Sequence, residues 1–130
     1  MAEETCINLP RTLVNQLLHA AQSAPDSIRW GMIGALGRTP VHCYPLTGVD
    51  ANSVSAARHQ LERQGETLFA AYRIDAGDAQ APALTELGAL GIRIPLVLRI
   101  SLGTKGVLQL RGWRIEAQRL VALEISISES

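Results

Sequence analysis

Lysine is almost missing from this chain. Lys105 stands alone, and the other eleven cations are arginine. Twelve acidic residues balance the twelve basic ones, so the formal net charge is zero. With no excess of positive charge and no basic stripe, binding to nucleic acid through counterion release has little physical basis. Long apolar runs are missing as well. No window approaches the ~20 apolar residues that a membrane-spanning helix needs, so no membrane partner is expected. The opening "MAEETCINLPRT" is acidic and predicts neither a secretory signal nor a transit peptide. Cysteine is scarce: Cys6 and Cys43 lie far apart, outside any C-x-x-C or Cys…His ligand spacing. Two free thiols in a reducing compartment are expected, and with them a cytoplasmic, prokaryotic protein.

What is present is enough for one domain over residues 1–130. A chain of 130 residues buries roughly two-thirds of its unfolded surface. With 47% apolar and 18% charged residues it is globular rather than disordered. Cys6 to Leu9 predict a short strand, and Pro10 suits the first turn of a helix, where its missing N–H costs nothing. Leu13, Val14, Leu17, Leu18 and Ala21 recur at helical spacing, predicting an amphipathic helix over 11–23 that "SAPDS" ends. "IRWGMIGALG" and "TPVHCYPL" predict two strands paired as a hairpin across "GRTP". The glycines of the first suit a strand whose neighbours approach closely. They are not followed by Lys-Ser/Thr and make no phosphate loop.

Asp50 or Asn52 is available to cap a second helix over 53–64, with Val54, Ala57 and Leu61 on one face and Gly65 as its stop. Thr67 to Tyr72 predict a strand. Arg73 stands at the mouth of the loop that follows, and Asp75, Asp78 and Glu86 lie in or just past it. Ala83 to Leu90 predict a short helix closed by Gly91. "PLVLRIS", "GVLQLRGWRI" and "RLVALEISIS" predict three strands in an antiparallel meander; in the last, Leu120 breaks phase while Val121, Leu123, Ile125 and Ile127 share one face. The order β-α-β-β-α-β-α-β-β-β defines an α/β (α+β) domain with a mixed, largely antiparallel sheet flanked by helices.

Other candidate sites are weak. His42 and Cys43 are adjacent, and strand neighbours point to opposite faces, so they make no Cys–His nucleophile pair. His19 and His59 read as solvated helix residues. Trp113 reads as core, while Trp30 is a candidate groove or interface residue, as is Asp78.

Several phrases, in this order, resemble the JAMM/MPN family of zinc-dependent isopeptidases and their metal-free relatives: "LPRTLVNQLLHAAQSAPDS", "WGMIGALG", "LFAAYRIDA…APALTELGAL" and "LQLRGWRIE". The resemblance covers nearly the whole chain and implies a JAMM/MPN-like (cytidine-deaminase-like) architecture. Active members carry a glutamate three residues before the glycine of the second strand, then His-x-His-Pro, then Ser-x-x-Asp. The histidines and the aspartate hold zinc with one position open for water. The glutamate takes a proton from that water, and the serine helps to stabilise the oxyanion. Here Ile28 stands at the glutamate position, Arg73 and Asp75 at the histidines, Ala76 at the proline, Ala83 at the serine and Glu86 at the aspartate. An isoleucine cannot shuttle a proton, and a guanidinium has no lone pair to give a metal.

The resemblance thus implies a pseudoenzyme with no catalytic residue, no metal and no cofactor. It would act as a binding or dimerisation module for a ubiquitin-like or sulfur-carrier protein tail, an active JAMM relative or a second copy of itself. An ion pair from Arg73 to Asp75 or Glu86 is expected to anchor the loop where relatives use a metal. The competing expectation is a metal-dependent hydrolase with a rearranged carboxylate site made of Asp75, Asp78 and Glu86.

Overall fold

The computed structural model describes residues 6–23, 29–48, 50–76, 96–102, 108–116 and 119–128. In chain order these form β1 (Cys6–Pro10), α1 (Arg11–Ser23), β2 (Arg29–Leu36), β3 (Thr39–Pro45), α2 (Ala51–Arg63), β4 (Thr67–Ala76), β5 (Leu96–Leu102), β6 (Leu108–Glu116) and β7 (Arg119–Ser128). The short helix expected over Ala83 to Leu90 lies outside the described residues.

All seven strands join one sheet in the order β1-β7-β6-β5-β4-β2-β3. The pairs β1–β7 and β4–β5 are parallel. The pairs β2–β3, β2–β4, β5–β6 and β6–β7 are antiparallel. The sheet curls until its two edge strands, β1 and β3, touch. The mixed α+β class and the closing antiparallel meander are as the periodicity predicts.

Among the described residues, each face of the sheet carries one helix. On one face Leu13, Val14, Leu17 and Ala21 of α1 pack with Ile7, Leu9, Ile33, Ala70, Tyr72, Ile74, Leu98 and Ile100. On the other, Val54, Ala57 and Leu61 of α2 pack with Trp30, Met32, Ala71, Val97 and Trp113. Strand alternation produces this division, since successive residues of β2, β4 and β5 serve opposite cores. Leu120, out of phase with its neighbours, packs on the α2 side while Leu123 and Ile125 pack on the α1 side.

The glycines of β2 answer to two close approaches, one on each face. A β-carbon on Gly31 would sit 2.1 Å from the ring of Tyr72, and one on Gly34 would sit 2.3 Å from a carboxylate oxygen of Glu66. Beside Gly34 the register with β4 shifts, from Ile33 opposite Ala70 to Gly34 opposite Leu68, leaving Phe69 as the extra residue of a bulge.

Three boundaries differ from expectation for identifiable reasons. Pro10 ends β1 by pairing with Ser128, and α1 starts at Arg11. Helix α2 begins two residues early because Asp50 caps it, accepting a hydrogen bond from Ser53 N at 2.8 Å. That bond holds the Asp50 carboxyl below its ordinary pKa. Strand β4 runs four residues past Tyr72, because β5 pairs with it from Ala71 to Ala76. Arg73 and Asp75 are therefore strand residues rather than members of a loop.

Side chains finish what the backbone leaves open. Arg29 reaches the last turn of α1, donating to Ser23 Oγ at 3.2 Å and to the carbonyl of Ala20, a cation at the negative end of the helix dipole. Gln16 treats the edge strand β3 as a neighbouring strand would. It donates to the carbonyl of Val41 at 3.2 Å and accepts from Cys43 N at 3.2 Å. An exposed edge would otherwise offer those groups for pairing with another chain.

Candidate functional site

The α2 face of the sheet carries polar chemistry at both ends of its apolar patch. At one end Glu66, just ahead of β4, is almost wholly buried, with its side chain 1% exposed. Two donors on β3 hold it. Tyr44 donates its hydroxyl to Oε1 at 2.9 Å, and His42 Nδ1 lies 2.8 Å from Oε2. The three meet because Met32 and Gly34 of β2 pair with Tyr44 and His42, and because Gly34 leaves room for the carboxylate. Burial, and then the carboxylate beside it, push the Tyr44 hydroxyl up to about 12. A neutral His42 donates from Nδ1, and a protonated one makes an ion pair. With both oxygens of Glu66 engaged, this cluster fastens β3 to the end of α2. Sequence reasoning missed Glu66; its one signal was a lone acid between the helix-stopping Gly65 and an apolar strand.

Cys43 lies on the opposite face from His42, as alternation requires. Its thiol is pushed up by burial, an effect that the Tyr72 hydroxyl beside it offsets in part. Burial likewise drives the Tyr72 hydroxyl up, with Cys43 adding to the shift. Cys6 and Cys43 are both free thiols, on β1 and β3.

At the other end of the α2 face stands a row of arginines. Trp30 pairs with Arg73, Arg73 with Arg99 and Arg99 with Arg111, across β2, β4, β5 and β6. Directly opposed residues share a face, so the three arginines are immediate neighbours. Arg99 is buried, Arg73 half-buried and Arg111 exposed. The Arg73 guanidinium lies over the Trp30 ring, 6.0 Å from its centroid, within cation–π range. Trp30 itself is 6% exposed and belongs to the α2-side core, so it forms the floor beneath Arg73 rather than the wall of an open groove. One step along, Asp75 pairs with Ser101 and Ser101 with Gln109, where the fully buried Ser101 hydroxyl donates to Gln109 Oε1 at 3.3 Å.

Of the residues singled out in the sequence, the structure thus places Trp30, Arg73 and Asp75. Ile28, Asp78, Ala83 and Glu86 lie outside the described residues. Among the described residues, no three of His, Cys, Asp or Glu converge as a set able to hold a metal ion. No helix is long and apolar enough to cross a membrane, again among the described residues.

No protein-family profile and no curated protein matches the chain. Solved structures do. The chain is similar to protein DSY2949 from Desulfitobacterium hafniense, with a TM-score of 0.70 at 18% identity over 95% of this chain and 93% of that one. It is also similar to AF2198, a JAB1/MPN domain protein from Archaeoglobus fulgidus, with a TM-score of 0.62 at 13% identity over 92% of this chain and 99% of that one. The fold is therefore MPN-like.

Proposed function

We propose that this MPN-like domain is a pseudoenzyme whose work is binding. The observation that carries the proposal is Arg73. It stands where the family resemblance puts a zinc-binding histidine, its guanidinium lies over Trp30, and two further arginines follow in register. A guanidinium stays protonated, offers no lone pair and repels a cation. Three neighbouring cations call for negative charge around them, since like charges directly opposite one another destabilise a sheet. Asp75 and Glu86 are the residues proposed to supply it, with Arg73 as the anchor of the segment after β4. Ile28 and Ala83, at the positions of the family's general base and oxyanion serine, add nothing that could replace the missing chemistry.

The partner is a protein: the tail of a ubiquitin-like or sulfur-carrier protein, an active JAMM relative or a second copy of this chain. Gln16 already takes the outward groups of Val41 and Cys43. An added strand would therefore dock elsewhere than on that stretch of β3. The test is affinity capture from the native host with the full chain as bait, alongside a mass measurement in solution. Recovery of a defined partner, or a stable dimer, supports a binding module. A monomer that captures nothing argues for a structural domain without a ligand.

A further inference from the structure

His42 stands apart from the other two histidines of the chain. Its Nδ1 lies 2.8 Å from Oε2 of Glu66, a side chain only 1% exposed, while its own side chain is 52% exposed. One ring nitrogen thus faces the interior, and the open part of the ring is the side that carries Nε2. An ionised carboxylate has no proton to give. The proton in this contact therefore sits on Nδ1, and the neutral ring keeps its lone pair on Nε2. The carboxylate is itself fixed, because Tyr44 donates to Oε1 at 2.9 Å and Gly34 leaves the room that the group occupies. The Tyr44 ring stands edge-on to the imidazole, with 6.4 Å between centroids and 71° between planes, and limits how the imidazole turns. His19 and His59, both exposed on helices, have no such partner among the described residues.

We propose that His42 is a nucleophilic acceptor for a neutral activated acyl compound, a thioester or an activated ester. Two features of the pair support that chemistry. A carboxylate that accepts from Nδ1 stabilises the positive charge the ring gains when Nε2 attacks. The same negative charge repels an anionic donor, so a phosphoryl group is disfavoured. In the step, the Nε2 lone pair adds to the carbonyl carbon and the bond to the leaving group breaks. The leaving group, a thiolate or alkoxide, departs with that bond's electron pair. The ring keeps its Nδ1 proton and becomes an acylimidazolium beside Glu66. Water then cleaves the new N–C bond, releasing the carboxylic acid and a proton and restoring the ring. Glu66 is a positioning residue here, since it acts through His42. The proposal is independent of the pseudoenzyme reading: it uses neither a metal nor Arg73, and its cluster lies at the opposite end of the α2 face from the arginine row.

The test is acylation of the full chain by limiting diethyl pyrocarbonate, a neutral activated acyl compound, followed at each histidine by peptide mass spectrometry. His42 is expected to react several-fold faster than His19 or His59, although those two are exposed as well. Proton–nitrogen NMR of the histidine rings is expected to find the proton of neutral His42 on Nδ1. Glu66→Gln keeps the shape of the side chain and removes its charge. It is expected to bring the His42 rate down several-fold, toward that of the other two, and to leave theirs unchanged. A native His42 that reacts no faster than His19 and His59 overturns the proposal, whether or not the variant folds. So does a neutral ring with its proton on Nε2, or an unchanged His42 rate in folded Glu66→Gln.

Discussion

The two faces of one sheet are built differently. The α1 face is an apolar core; its polar groups, such as Gln16 and Arg29, mainly satisfy backbone at a strand edge or a helix end. The α2 face has a smaller core with charge at both ends. One end is an anion closed by two donors, Glu66 with His42 and Tyr44. The other is a row of three cations that reaches from the buried Arg99 to the exposed Arg111. A face that carries charge in its interior gives up some burial for it, and the two ends show two uses of that charge. The closed cluster fixes structure, whereas the row runs from the interior to the surface.

Substitutions on each face sharpen that contrast. The largest loss is expected on the α1 face. Leu17 is fully buried, and Leu17→Ala should remove about 2–5 kcal/mol from stability in denaturant unfolding. Glu66→Ala should come next, at roughly 2–3 kcal/mol, because it leaves two donors without their acceptor. Paired with Tyr44→Phe in a double-mutant cycle it should be clearly non-additive, and simple additivity would dissolve the cluster as a unit. Arg73→Ala should cost about 1–2 kcal/mol. Its contact with Trp30 accounts for up to about 1 kcal/mol at a partly exposed site, and a loss above that belongs to the proposed ionic anchor. An unchanged melting temperature would count against the anchor.

The smallest effect is a pH dependence. The folded-state pKa of Tyr44 is raised to about 12 from an ordinary value near 10. The native state therefore holds this proton where the unfolded chain has lost it. The associated stability is present below about pH 10 and disappears as pH rises toward about 12. Melting curves across that window should fall more steeply for the native sequence than for Tyr44→Phe.

Much of the fold was legible in the sequence, because helical and alternating periodicities are local. The spacing of Leu13, Val14, Leu17 and Ala21 defined α1 to the residue, and the glycines of "WGMIGALG" announced close neighbours before either Tyr72 or Glu66 was known to be one. What could not be read was which distant strands meet. Arg73, Arg99 and Arg111 are scattered in sequence, and only the pairing of β4, β5 and β6 makes them a row. The same limit hid Glu66, whose partners lie 22 and 24 residues away. It also cut β4 short, since the pairing that carries it to Ala76 comes from a strand beyond the next segment.

The central proposal, that this domain is a pseudoenzyme with arginine in place of a metal ligand, is tested most directly by the metal content of the purified full chain after dialysis, read together with peptidase activity. The account predicts zinc far below one equivalent per chain and no hydrolysis that a chelator abolishes. Stoichiometric zinc that survives dialysis, with peptidase activity lost to a chelator, would contradict it.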